Sequence, residues 1–159
     1  MIRLSKLADY GIVIMTHMAR GRTRQHAMHD IAEATQVPAA MASKILKTLV
    51  RTGLLASNRG ANGGYVMTRD PTTITVAEVV EALEGPIALT SCTEEGETDC
   101  GIEQLCPTRT NWQRINDAIR TALAEISIGE MATAIPSAFM VEDEHRDERA
   151  SRPPMAKLA

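Results

Sequence analysis

The sequence predicts a mainly α fold: a winged helix-turn-helix with a small β-hairpin wing, followed by one long helix. Three observations predict it. Aromatic residues make up only 3% of the chain while Ala, Ile, Leu, Val and Met abound, a balance that favours helices over a large sheet. A short helical segment, a turn at Gln36-Val37-Pro38 and a second helical segment follow one another. Two strand-like runs then flank Asn58-Arg59-Gly60-Ala61-Asn62-Gly63-Gly64, a stretch of turn formers. Helix, turn, helix, hairpin is the order of a winged helix-turn-helix.

The elements follow in order. Leu7, Tyr10, Gly11, Ile14, Met15 and Met18 recur at helical spacing, with Ser5 as N-cap and Gly21 as stop. The methionines of this helix belong to a core. Gln25 to Ala27 reads as a short strand and Asp30 to Thr35 as the second helix. Pro38 disfavours helix at Val37 and starts the third helix, Ala39 to Thr52, whose buried stripe is Ile45, Leu46, Leu49 and Val50. Gly53 stands where a C-terminal glycine cap belongs. The strand-like runs are Leu54 to Ser57 and Tyr65 to Thr68. Thr75-Val76-Ala77-Glu78 is a capping-box pattern opening a fourth helix that stops at Gly85-Pro86. Residues 87–107 have no sustained period and hold five acids, Glu94, Glu95, Glu97, Asp99 and Glu103. The longest helix runs from Thr108 to Ile126. Its Trp112, Ile115, Ile119, Ala122 and Ile126 form a narrow heptad-like seam suited to a partner helix, with packing inside the chain as the plainer reading. Ser127 caps a further short helix, and from Pro136 the chain is charged and proline-bearing, the composition of a mobile tail.

Length and charge narrow the function. The 159 residues suffice for one compact domain with an arm or tail, so folding needs no disulfides. No stretch reaches the ~20 apolar residues needed to span a bilayer. Asp9 interrupts the only run that resembles a signal peptide, so we expect a cytoplasmic protein without membrane contact. The net charge of −3 conceals an asymmetry. Residues 1–70 carry ten Lys or Arg against four Asp or Glu, whereas residues 71–159 carry seven against sixteen. A basic first half suits a polyanion. No cofactor fingerprint, Ser/His/Asp set or paired-carboxylate arrangement speaks for an enzyme. Gly63-Gly64 is no phosphate loop, because neither Gly-Lys-Ser/Thr nor a helix follows.

The second helix of a helix-turn-helix enters the major groove of double-stranded DNA. Here its leading and outward positions are Ala39, Ala40, Met41, Ser43, Lys44 and Lys47. Ser43 can bond a base edge or a phosphate; Lys44 and Lys47 can neutralise phosphates or reach guanine acceptors. Ala39, Ala40 and Met41 permit close approach or touch a thymine methyl. Arg59, beside Gly60 at the wing tip, can enter a narrow minor groove. An ordinary solvated face is the alternative for each of these residues. His17, His26 and His29 lack metal-ligand spacing with one another.

Cys92, Cys100 and Cys106 fall within fifteen residues. Seven residues separate the first pair and five the second, too wide for a zinc-knuckle Cys-x-x-Cys. An odd count in a reducing compartment argues against a disulfide framework. The spacing leaves open an iron–sulfur cluster, a zinc ion with a fourth ligand from elsewhere, or plain thiols.

Several segments resemble the winged-helix iron–sulfur regulators of the IscR and NsrR type. They are Met1-Ile2-Arg3-Leu4 with Ala8-Asp9-Tyr10, Asp30-Ile31-Ala32, Arg59 to Tyr65, Glu84-Gly85-Pro86 and the cysteine loop. The resemblance covers roughly residues 1 to 135 and looks most like regulators of the SUF cluster-assembly operon. It implies a homodimer on an imperfectly palindromic operator. It implies a 2Fe-2S or 4Fe-4S cluster held by the three cysteines, with a fourth ligand that varies among members, and repression of genes for cluster assembly, iron balance or redox stress. One departure stands out: where IscR-type members have a histidine three residues after the last cysteine, this chain has Arg109. NsrR-like members draw a carboxylate from the first helix of the opposite subunit, which makes Asp9 of the other subunit the candidate fourth ligand. The expected organisation is a winged helix-turn-helix DNA-binding domain at 1–86, a cluster-binding loop at 87–107, a dimerisation helix with a short following helix at 108–135, and a tail at 136–159. Zinc or cysteine oxidation on the same fold is the alternative signal.

Overall fold

The computed structural model describes residues 3–21, 24–60, 63–93, 100–102 and 105–133. The wing residues Ala61 and Asn62, the five loop acids and the tail lie outside the described residues. The chain order is α1 (Lys6–Arg20), α2 (Met28–Thr35), α3 (Ala39–Arg51), β1 (Leu55–Asn58), β2 (Gly64–Met67), α4 (Val76–Glu84), α5 (Arg109–Ala124) and α6 (Ile128–Thr133). Two 3-10 turns, Pro71–Thr73 and Ser91–Thr93, precede and follow α4.

Local chemistry sets most boundaries. The Ser5 side chain accepts from the Leu7 and Ala8 amides at the start of α1, and Gly21 ends it, although with an ordinary φ of −117°. α2 begins at Met28, two residues before the sequence expectation, and ends at Gln36, which adopts a left-handed φ of 57°. Pro38 is the N-cap of α3 rather than its first residue, and Gly53 follows the helix with φ +81°. At α4 the capping box is complete: Thr75 Oγ1 accepts from the Glu78 amide while Glu78 accepts from the Thr75 amide. A second reciprocal pair opens α6, with the Ser127 hydroxyl accepting from the Glu130 amide and Glu130 accepting from the Ser127 amide at 2.8 Å.

The core lies between α1, α3 and α4. Ile14, Met15, Met18, Ile31, Ile45, Leu46, Leu49, Ile74, Val79 and Ile128 are fully buried. The α3 stripe departs from expectation at one position: Ala42 is buried while Val50 is only half-buried. Truncating Ile45 to Ala here costs about 2–5 kcal/mol, the transfer term plus the cavity. α6 belongs to this core through Ile128 and packs on α1 and on the Pro71–Thr73 turn.

β1 and β2 pair antiparallel, Leu55 opposite Met67 and Asn58 opposite Gly64. The segment expected as a short strand adds one bridge: His26 and Tyr65 exchange both backbone hydrogen bonds at 2.9 Å. Gly64 permits this approach, since a Cβ there would stand 2.7 Å from the His26 carbonyl oxygen. The wing is thereby fastened, near its turn, to the α1–α2 connection. A second bridge, Thr75 to Ser127, joins the start of α4 to the end of α5, with Val76 donating to Ile126 and Ile128 donating to Ile74. No described helix is long and apolar enough to cross a membrane.

Candidate DNA interface and cysteine site

α2, the turn at 36–38 and α3 form the helix-turn-helix, with α3 as its second helix. Ala39, Ala40, Lys44 and Lys47 are exposed on it, Ser43 is half-buried, and Met41 is half-buried against the core. No side chain caps the α3 N-terminus and no acidic residue lies in its first turn. That end therefore presents backbone N–H groups and a positive dipole without local neutralisation, an arrangement that favours a phosphate. Arg59 and Gly60 stand exposed at the wing tip. Gly60 has φ +122°, a conformation that side-chain-bearing residues rarely adopt, so the turn that presents Arg59 depends on it. The histidines have structural partners: His17 and His26 meet edge to face at 5.7 Å, and His29 lies 4.0 Å from Glu33 one turn on.

The second site lies between the end of α4 and the start of α5. Cys92, Cys100 and Cys106 are all free and all half-buried. Cys92 sits in the Ser91–Thr93 turn, its Sγ 3.2 Å from the Thr90 hydroxyl. Cys106 precedes α5, its Sγ 3.4 Å from the Thr108 hydroxyl. That hydroxyl, then the Thr108 backbone, hold the Cys106 thiol below its ordinary pKa; burial opposes the shift, and the Arg109 backbone and charge add to it. Among the described residues no three His, Cys, Asp or Glu side chains stand together as metal ligands, so the three thiols are on one loop without forming a closed cage. Asp9 is exposed in the first turn of α1. The donor set still fits a cluster by its chemistry: three soft ligands, none spent in a disulfide, one of them already biased toward thiolate.

α5 carries two faces. Trp112, Ile115 and Ile126 are 39%, 43% and 46% exposed, and Ala122 is exposed beside them. Ile119 is half-buried, and Leu123 packs against the core. The buried position of this helix is Asn116, 7% exposed, whose amide grips the backbone of Ile87 and Leu89. Sequence reasoning missed Asn116 because it followed apolar residues only. The available signal was its seven-residue spacing to Leu123, which puts both on one side of the helix. Arg120 to Glu81, at 3.0 Å, further ties α5 to α4.

A recognition helix with an open N-terminus and a hairpin wing fastened beside it define a winged-helix, DNA-binding transcription regulator. The Rrf2 family profile, described as an iron-dependent transcriptional regulator, matches residues 4–134, and the chain belongs to that family. It is 30% identical over 135 residues to Protein aau3 of Rhizobium meliloti, covering 85% of this chain and 88% of that one. It is 28% identical over 131 residues to the HTH-type transcriptional regulator IscR of Enterobacter sp., covering 82% and 79%. The structure of CymR, the global cysteine regulator of Bacillus subtilis, superposes with a TM-score of 0.67 at 28% identity, over 86% of this chain and 100% of that one. The family description and the names of the IscR and CymR relatives are those of regulators.

Proposed function

We propose that this regulator senses an iron–sulfur cluster held by Cys92, Cys100 and Cys106, and that cluster state governs its repression of cluster-assembly or iron- and redox-stress genes. The carrying observation is three free, half-exposed thiols on one loop where α4 hands over to α5. The family's description as iron-dependent and the similarity to an IscR support the same reading. The SUF operon as target rests on the overall sequence pattern.

In this reading Asp9 of the other subunit completes the ligand set, a hard and labile donor beside three soft ones. The exposed α5 seam is the homodimer interface. Two α3 helices then read an imperfect palindrome through Ser43, Lys44 and Lys47, with Ala39, Ala40 and Met41 close to the bases and Arg59 and Gly60 in the minor groove. Anaerobic reconstitution, with iron and sulfide assayed in wild type and in each Cys→Ala variant, tests the cluster. Full cluster content in Cys100→Ala would remove that thiol from the ligand set.

A second reading has its own support. The lowered pKa of Cys106 and the likeness to CymR, a cysteine regulator by its description, favour a thiol-based signal on the same fold. A protein that stays colourless after anaerobic reconstitution, yet loses operator affinity on mild oxidation, would favour it.

A further inference from the structure

We propose that Asn116 is the positioning residue of the cysteine site: its amide fixes the segment that carries Cys92 to the helix whose first turn directly follows the Cys106 segment. The proposal rests on the reading that these two thiols act in one site.

Gly85 ends α4, and the chain then runs back along α5. Asn116 Oδ1 accepts from the Leu89 amide at 3.0 Å, and Nδ2 donates to the Ile87 carbonyl at 2.9 Å. One side chain thus pairs with both backbone groups that a neighbouring strand would have used. Burying an amide costs free energy unless both ends are satisfied, and here both are. An apolar side chain would fill the space but would tolerate sliding of the segment. Two opposed hydrogen bonds admit a single register.

The grip extends to sulfur. One residue beyond Leu89, the Thr90 amide donates to Thr93 Oγ1 at 3.2 Å, and Thr93 returns bonds from its hydroxyl and its amide to the Thr90 carbonyl at 2.8 and 2.9 Å. These bonds close the turn that holds Cys92, and the Thr90 hydroxyl touches Cys92 Sγ. Cys106 is fastened at the start of α5 by Thr108. Both thiols are therefore referenced to one helix, Cys92 through Asn116 and Cys106 directly. At 1.5 Å per residue, Asn116 lies roughly 10 Å along the axis from Arg109. A loose 87–93 segment would leave the position of Cys92 relative to Cys106 undefined.

The test uses reduced, metal-free, full-length protein. Alkylation of each cysteine by iodoacetamide is followed by peptide mass spectrometry. Asn116→Ala should accelerate Cys92 roughly threefold to tenfold, the change expected from losing hydrogen bonds that hold a local segment closed. Cys106 should stay within about twofold. Asn116→Asp keeps the acceptor for Leu89 and loses the donor to Ile87, so its Cys92 rate should fall between the two. General destabilisation speeds all thiols together, so a parallel rise at Cys92 and Cys106, or no rise at Cys92, would overturn the proposal. If Asn116→Ala does not fold, the same ratio in Asn116→Asp decides. Reconstituted Asn116→Asp should also differ from wild type in visible circular dichroism. Failure of wild type to take up iron and sulfide would remove the cluster reading while the metal-free labelling ratio still judged Asn116.

Discussion

In the proposed interface Lys44 and Arg59 would meet DNA through different physics. Lys44 is an exposed cation on α3, placed to neutralise a phosphate and release a counterion. Lys44→Ala should weaken operator binding evenly across sequences and flatten the plot of log affinity against log salt by about one unit of slope, read by fluorescence anisotropy. Arg59 is held at the wing tip by a turn that Gly60 makes possible. Arg59→Ala should cost about 1–3 kcal/mol and relax discrimination at the flanking A/T positions. Unchanged affinity in both folded variants would remove α3 and the wing from the interface. The proposed fourth ligand of the cysteine site lies on neither of these elements. Asp9 belongs to α1, exposed in its own chain and near the α1 N-terminus, where the helix dipole alone would favour an acid. Asp9→Ala should keep the fold and alter the cluster's spectrum and oxygen sensitivity; a variant identical to wild type in spectrum, stability and DNA response would leave the fourth position to another group.

The helices differ in what holds them. α4 depends on its capping box, and Thr75→Ala should cost about 1 kcal/mol in chemical denaturation. Burial acts to raise the pKa of Glu78, but bonds from the Thr75 backbone and from Arg69 outweigh it and hold the carboxyl below its ordinary value. A carboxyl with a depressed folded pKa contributes stability above its unfolded pKa and loses it as pH falls through the folded one. Glu78→Gln should therefore lower stability at neutral pH and flatten the acid limb of a stability–pH curve; parallel curves for variant and wild type would contradict this. In the proposed dimer the outer face of α5 is covered by its partner. Replacing Ile115 and Ile119 together by Lys puts charge into the apolar seam and should yield monomers in sedimentation; an intact dimer would place the interface elsewhere. The helices and the hairpin were legible in sequence because caps, Pro38 and the Gly-rich wing are local signals. The bridge of His26 to Tyr65 and the return of α6 onto α1 depend on residues far apart in sequence, so no local pattern revealed the contacts. Asn116 was hidden for a different reason: it lies off the apolar seam, and a polar residue marks no buried face until its two backbone partners are seen.

Across the whole molecule, α5 joins the cysteine segment to α4, which in turn packs on α3. Cys106 stands just before the first turn of α5, the middle of the helix grips the Cys92 segment through Asn116, and the residues that follow its last turn are bridged to the start of α4 at Thr75 and Ser127. In the proposed dimer, a change in the cysteine loop would reach the reading helices through this one rod and the core it docks on. Two α3 helices related by a two-fold axis would lie ~34–36 Å apart or a multiple of it, which predicts half-sites spaced by whole DNA turns in a footprint. The basic first half and acidic second half keep the polyanion at the winged helix. The identity of the bound group was the least legible property, because three cysteines at these spacings suit more than one chemistry and the loop acids say nothing about ligation. The central claim is that cluster state sets DNA affinity. Its most direct measurement is operator affinity of the apo and anaerobically reconstituted protein, at one fixed salt concentration, with iron and sulfide assayed on the same samples. Cluster sensing predicts a coloured protein with stoichiometric iron and sulfide and at least a tenfold difference in affinity between the forms, on the order of 1.4 kcal/mol. Equal affinities, or a protein that takes up no sulfide, would contradict it.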